Sequence, residues 1–215
     1  MKVVVTGTSR GIGKAVAEKF LACGFTVIGI DKNAATVSHK NYTHYVCDVA
    51  TDDLPKIDGV NYLINNAGVQ NEGNDIEVNL KGAIRTTEQY AMQPCIKSVV
   101  FMASASASTG AEFPQYVASK GGMVSYMKNV ALRIANYGAT ANSLSPGGVI
   151  TPLNQHIIDS PKLWQRVMDE TPLKKWATAE EIAEWTYFVA VVNKSMTAQD
   201  IVIDNGESSN AHFVW

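Results

Sequence analysis

Short β-branched runs alternating with helical apolar periods, and a glycine-rich turn joining the first run to the first helix, predict an α/β fold. The expected architecture is one doubly wound parallel sheet of about seven strands with helices on both faces. A length of 215 residues fits a single domain, taken as 1–215. With 46% apolar and 18% charged residues the chain can build a full core and is not intrinsically disordered. No repeat, low-complexity tract or flexible linker marks a boundary.

In chain order, residues 3–5 form the first strand and run into Gly7. Ile12, Val16 and Phe20 recur every four residues, so one helix face is apolar. Residues 26–30, 42–46 and 62–64 supply the next three strands. Helical periodicity is almost absent from Asp31 to Asn65, so the crossovers between residues 31 and 79 are abbreviated, with 33–41 and 51–59 read as turns or single helical turns. A helix is expected from Gly82 to about Met92, and 98–102 form a fifth strand. Met123, Met127 and Ala131 repeat on a helix reaching about Asn136, ahead of a sixth strand at 139–144. Leu153, Ile157, Ile158, Leu163, Trp164, Val167 and Met168 have the spacing of an amphipathic helix packed on the body. Ile182, Thr186 and Ala190 mark a late helix before a final strand at 201–203.

Charge and special residues exclude several functions. Lys+Arg 18 against Asp+Glu 20 leaves a net charge of −2, with no field to recruit nucleic acid or anionic lipid. Cys23, Cys47 and Cys95 are widely spaced with no Cys-x-x-Cys pair, which fits reduced thiols in a cytoplasmic protein. His39, His44, His156 and His212 show no metal-ligand spacing, so no protein-held metal is expected. The apolar run at the first residues is too short for a signal peptide or membrane span.

Chemistry begins at Thr6-Gly7-Thr8-Ser9-Arg10-Gly11-Ile12-Gly13, between the first strand and its helix. Glycines there allow a tight turn and close approach of a dinucleotide pyrophosphate to the helix N-terminus, as in a Rossmann-like fold. Asp31 follows 18 residues after Gly13, at the end of the second strand. A carboxylate there can accept both adenosine-ribose hydroxyls and repels a 2′-phosphate, which favours NAD. Arg10 and Lys32 nearby could tolerate that phosphate, so NADP stays open.

Thr-Gly-x-x-x-Gly-Ile-Gly resembles the cofactor turn of the short-chain dehydrogenase/reductase family, and the resemblance extends over essentially the whole chain. Asp48-Val49 resembles the family's adenine-contacting pair, and Asn65-Asn66-Ala67-Gly68 its cofactor-lining segment. Val78-Asn79-Leu80-Lys81-Gly82 is similar to the segment holding the active-site Asn, and Tyr116-Val117-Ala118-Ser119-Lys120 to the Tyr-x-x-x-Lys signature. Pro146-Gly147-Gly148-Val149-Ile150-Thr151-Pro152 resembles the loop that closes on the nicotinamide, and residues 197–206 the final strand. The resemblance implies catalytic roles for Asn79, Ser104, Tyr116 and Lys120. It implies cofactor contacts from Gly7, Ser9, Arg10, Gly11, Ile12, Gly13, Asp31, Lys32, Asp48, Val49, Asn66, Ala67, Gly68, Pro146, Gly147, Val149 and Thr151, with Tyr116 and Lys120. Residues 148–176 become a substrate lid, mobile in such enzymes. A homodimer or homotetramer is implied, and the apolar tail Phe213-Val214-Trp215 either docks on a neighbouring subunit or packs locally.

Physical reasoning gives those residues their roles. Tyr116 and Lys120 stand four apart on one helix and share a face. Using a phenol as acid and base near neutral pH takes about 3–4 kcal/mol of preferential phenolate stabilisation, which the ammonium and an oxidised nicotinamide supply. Lys120 also binds the nicotinamide ribose by resemblance; Ser104 orients the substrate oxygen, and Asn79 supports a water relay. Ser104 lies 12 residues before Tyr116, one short of the family's usual spacing, so Ser106 is the alternative serine. The expected activity is NAD(H)-dependent interconversion of a secondary alcohol and a ketone. The alternatives are an NADPH-dependent 3-oxoacyl-thioester (acyl-carrier-protein) reductase and a non-catalytic dinucleotide-binding regulatory protein. The expected partner is a small-molecule alcohol or ketone.

Overall fold

A computed structural model describes residues 1–111 and 113–210. The expected tail contact of Phe213, Val214 and Trp215 lies outside the described residues. Strands β1 (Lys2–Thr6), β2 (Thr26–Asp31), β3 (Tyr42–Val46), β4 (Tyr62–Asn65), β5 (Ser98–Met102) and β6 (Thr140–Pro146) fall where the β-branched runs put them. A two-residue strand, β7 (Val149–Ile150), pairs in parallel with β8 (Ala177–Thr178), and β9 (Asp200–Ile203) comes last. Among the described residues seven strands form one parallel sheet in the order β3-β2-β1-β4-β5-β6-β9. Chain order reverses beside β1, where Val4 pairs with Ile28 on one side and Leu63 on the other. That reversal opens a crevice at the carboxyl ends of β1 and β4.

Alternation along β1 builds both cores. Val4 faces a cluster with Leu63, Val99, Phe101, Met123 and Met127, while Val3 and Val5 face another with Val16, Phe20, Val100 and Ile182. Helices α1 (Gly11–Ala22), α2 (Ala83–Tyr90), α3 (Ser106–Thr109), α4 (Pro114–Ile134), α5 (Gln155–Ile158), α6 (Pro161–Glu170) and α7 (Ala179–Tyr187) complete the layers. Tyr90 of α2 and the methionines of α4 cover one face; α1 and α7 cover the other. Pro114 opens α4, and the capping box of Thr178 and Glu181 opens α7.

No helix occupies residues 32–41 or 47–61, as the missing periodicity predicts. Loop side chains do the covering instead: Val37 on one face, Ile57 and Val60 on the other. The helix expected from Gly82 begins earlier, because a π-helical turn at Ile76–Gly82 runs straight into α2. Glycine in the middle hid that continuity. It is required there, since a Cβ on Gly82 would stand 2.8 Å from Val49 Cγ2. The apolar residues from Leu153 to Met168 do not lie on one amphipathic helix: α5 and α6 divide that stretch, within a segment held at its two ends by the β7–β8 ladder. Cys23, Cys47 and Cys95 are free thiols, and among the described residues no helix is long and apolar enough to cross a membrane.

Candidate active site

The glycine turn leaves β1 at Gly7, which takes φ +76° and donates its N–H to Ile30 O at 2.7 Å. Arg10 precedes α1 with no side-chain cap, so no side chain competes for the N–H groups that open this helix. Gly13 is forced by contact: a Cβ would lie 2.0 Å from Gly7 O and 2.3 Å from Asn66 Nδ2. Thr6 binds the neighbouring strand end to the turn, its Oγ1 accepting Asn66 N–H at 3.0 Å and Ala67 N–H at 2.9 Å. Asn66 Nδ2 returns bonds to Thr6 O and Gly7 O. Asn65 points the other way, into α2, and meets Thr86 and Thr87.

At the end of β2, Asp31 is only 9% exposed. Its Oδ1 accepts from Asn33 N–H at 2.8 Å and Asn33 Nδ2 at 3.0 Å, and its Oδ2 from Ser9 N–H at 2.9 Å. A carboxylate offers about four acceptor positions, so one further donor fits here. Arg10, Lys32, Asp48 and Val49 line the same end of the cleft. Cys47 lies beside them, its thiol pushed up by burial and by Asp52.

At the other end, Lys120 on α4 is 5% exposed and donates from Nζ to Met102 O at 2.8 Å. The same ammonium stands 5.6 Å from the Tyr116 ring centroid. Gly68 admits both groups behind it, since a Cβ there would lie 3.5 Å from Lys120 Nζ and 3.1 Å from Asn79 Oδ1. Asn79 is fully buried and its amide is spent on the protein: Oδ1 accepts Val69 N–H, and Nδ2 donates to Val69 O and Ser119 Oγ. Ser104 Oγ accepts from Ser106 Oγ at 2.9 Å and Ser106 N–H at 3.3 Å, which leaves its own proton to point elsewhere.

These groups share one cleft of about 920 Å³. Of the residues expected from sequence, Gly7, Arg10, Gly11, Ile12, Asp31, Lys32, Asp48, Val49, Asn66, Ala67, Gly68, Ser104, Tyr116, Lys120, Pro146, Gly147, Val149 and Thr151 line it, and so does Ser106. Ser9, Gly13 and Asn79 stand behind the lining and hold it in place. Sequence reasoning missed Gln70, Asn71, Asp204 and Glu207. Asp204 and Glu207 had a signal: they follow the last strand, at the carboxyl edge where α/β sheets bind ligands. Trp176, at the end of the expected lid, fills the space a Cβ on Gly148 would need, with its ring 2.0 Å away. Among the described residues no group of His, Cys, Asp or Glu converges as a metal site.

A family model described as enoyl-(acyl carrier protein) reductase matches residues 7–208. Glucose 1-dehydrogenase of Gluconobacter oxydans (strain 621H) is 27% identical over 244 aligned positions, which take in 95% of this chain and 91% of that protein. The 3-oxoacyl-(acyl-carrier-protein) reductase FabG of Buchnera aphidicola subsp. Acyrthosiphon pisum is 27% identical, with 94% and 95% covered. A 4-hydroxyisoleucine dehydrogenase mutant solved with NADH and succinate superposes with a TM-score of 0.89 at 24% identity, over 99% of this chain and 100% of that one.

Proposed function

The chain belongs to the short-chain dehydrogenase/reductase family of oxidoreductases, and on that premise we propose that it interconverts a secondary alcohol and a ketone with NAD(H). The observation that carries the proposal is the buried Lys120 ammonium beside the Tyr116 ring, in the same cleft wall as Ser104. A dinucleotide fits the residues present, because Gly7 and Gly13 let the turn pack closely against Asn66 and Ala67, and the helix N-terminus it presents to the cleft beside Gly11 carries no side-chain cap. When bound, the nicotinamide would supply the hydride for ketone reduction and accept it in alcohol oxidation.

The protein handles position and proton. Ser104 donates its spare proton to the substrate oxygen, Ser106 holding that hydroxyl by two bonds. Tyr116 gives or takes the proton at the same oxygen, and Lys120 favours the phenolate by its charge. Asn79, with its amide spent, acts on any water relay through its main chain. Asp31 favours NAD by repelling a 2′-phosphate. Residues 148–176 act as the substrate lid. We extend the reading to a cytoplasmic homodimer or homotetramer.

NADH oxidation is measured over a ketone panel with wild type and Tyr116→Phe. Loss of turnover by a factor on the order of a hundred or more is expected in the variant, with NADH binding retained. Equal turnover refutes the assignment. The second reading is an NADPH-dependent 3-oxoacyl-thioester reductase, favoured by Arg10 and Lys32 in the adenosine wall. Markedly tighter NADPH than NADH binding would select it.

A further inference from the structure

The adenosine wall of the cleft lies where the chain has no helix to hold it. Parallel strands are usually joined through a crossover helix, yet residues 47–61, between β3 and β4, contain none. Asp48 and Val49 line the cleft from the start of this loop. The ladder to β2 ends just before them, with Cys47 N–H donating to Asp31 O at 2.9 Å. Beyond that point the loop folds on itself: Asp48 O accepts Asp52 N–H at 3.0 Å, Asp52 Oδ2 accepts Asp48 N–H at 2.9 Å, and Asp48 Oδ1 accepts Ala50 N–H at 2.8 Å. Those bonds shape the turn but leave its place against the sheet open.

Arg85, on α2, supplies that place. Its Nη1 donates to Val49 O at 2.7 Å and its Nη2 to Asp52 O at 2.6 Å, so one planar guanidinium spans two carbonyls of the turn. The next two residues of the helix are tied to the sheet: Thr86 Oγ1 donates to Asn65 Oδ1 at 2.6 Å, and Thr87 Oγ1 accepts from Asn65 Nδ2 at 2.8 Å. Through α2 the turn is therefore set against the strand end that carries Asn66 and Ala67 into the cleft. A second tether, from Tyr90 Oη to Pro55 O at 2.8 Å, holds a later part of the loop that does not line the cleft.

We propose that Arg85 is a positioning residue for dinucleotide binding: its two bonds, in place of a crossover helix, hold Asp48 and Val49 at the adenosine end of the cleft. Arg85 does not itself line the cleft, so it acts through those two residues. The inference rests on the reading of the cleft as a dinucleotide site and names what keeps one wall of it in place. A wall fixed before the ligand arrives takes the cost of ordering out of binding. Lysine would bring the same charge without the fork that reaches both carbonyls.

Dissociation constants for NADH and for ADP-ribose, which lacks the nicotinamide, are measured by fluorescence and calorimetric titration in wild type, Arg85→Met, Arg85→Lys and Tyr90→Phe. Circular dichroism shows which variants are folded. Arg85→Met is expected to weaken both ligands alike by about tenfold, since both carry the adenosine half. Arg85→Lys weakens both by about threefold or more, and it carries the test should Arg85→Met not fold. Tyr90→Phe cuts the tether that does not reach the cleft wall and leaves both constants within about twofold. Wild-type affinity in the folded arginine variants, a loss confined to NADH, or an equal loss in Tyr90→Phe overturns this inference alone. Failure of Arg85→Lys to fold makes the arginine a stability residue and overturns it too. If ADP-ribose fails to displace NADH from the wild type, the dinucleotide reading itself falls, and this inference with it.

Discussion

Gly13→Ala tests whether the cofactor turn is held by contact or only by local flexibility. The added methyl carbon would stand 2.0 Å from Gly7 O, 2.3 Å from Asn66 Nδ2 and 2.8 Å from Gly7 C. Two of those atoms are backbone, so relief requires the turn and helix to separate by about 1 Å or more, an overpacking cost of about 1–3 kcal/mol. Opening that gap also breaks the Asn66 Nδ2 to Gly7 O bond of 3.2 Å, worth about 1 kcal/mol. Alanine recovers about 1 kcal/mol of helix propensity. The net loss is about 1–3 kcal/mol, or roughly 2–12 °C in Tm for a chain of this size. Because the displaced atoms form the expected pyrophosphate cradle, NADH affinity falls by about tenfold or more. Thermal unfolding and NADH fluorescence titration read the two effects. Gly121→Ala on α4 is the control, its Cβ meeting only Ala107 O at 3.7 Å, and it stabilises by up to about 1 kcal/mol. Wild-type melting and NADH binding in Gly13→Ala, or equal damage in Gly121→Ala, would refute the reasoning.

Ser104→Ala should reduce kcat by about a hundredfold and Ser106→Ala by about tenfold or less, because Ser106 acts by orienting Ser104; steady-state kinetics with the reverse order would make Ser106 the substrate-facing hydroxyl. Thr6→Val removes the acceptor shared by Asn66 N–H and Ala67 N–H, and denaturant unfolding should show a loss of about 2–4 kcal/mol together with weaker NADH binding. Burial pushes Asp204 up, but the hydrogen bonds from Ser208 and Gly206 outweigh it and hold the carboxyl below its usual range. A depressed folded-state pKa stabilises above the unfolded value of about 3.9 and loses that contribution as pH falls through the folded value. The stability gap between wild type and Asp204→Asn should therefore be full above about pH 5 and shrink below about pH 4, as followed by unfolding across acid pH. A gap that stays constant through that range removes the ionised carboxylate from the account.

Local chemistry made the strands legible. Each run was short, β-branched and bounded by turn formers, and β3 and β5 begin and end at the expected residues. The same logic read the missing helices between Asp31 and Asn65, where no apolar period exists to be buried. It failed at Gly82, because glycine was taken as a helix start when its real constraint is the Val49 side chain from another part of the chain. It also read Leu153 to Met168 as the spacing of one amphipathic helix, since the interruption between α5 and α6 carries no strong local signal beyond Ser160-Pro161.

Order of elements, the glycine turn and the spacing of Tyr116 and Lys120 are properties of neighbours along the chain, so the sequence by itself determined them. Tertiary structure alone decided which acceptors remain for a ligand. Asp31 has most of its acceptor positions taken by Ser9 and Asn33, and Asn79 has its amide taken by Val69 and Ser119. It also carried Asp204 and Glu207 against Gly147 at the end of β6, from a turn about 60 residues further along the chain. Sheet order and the packing of glycines against side chains create those meetings, and no periodicity within a segment records them.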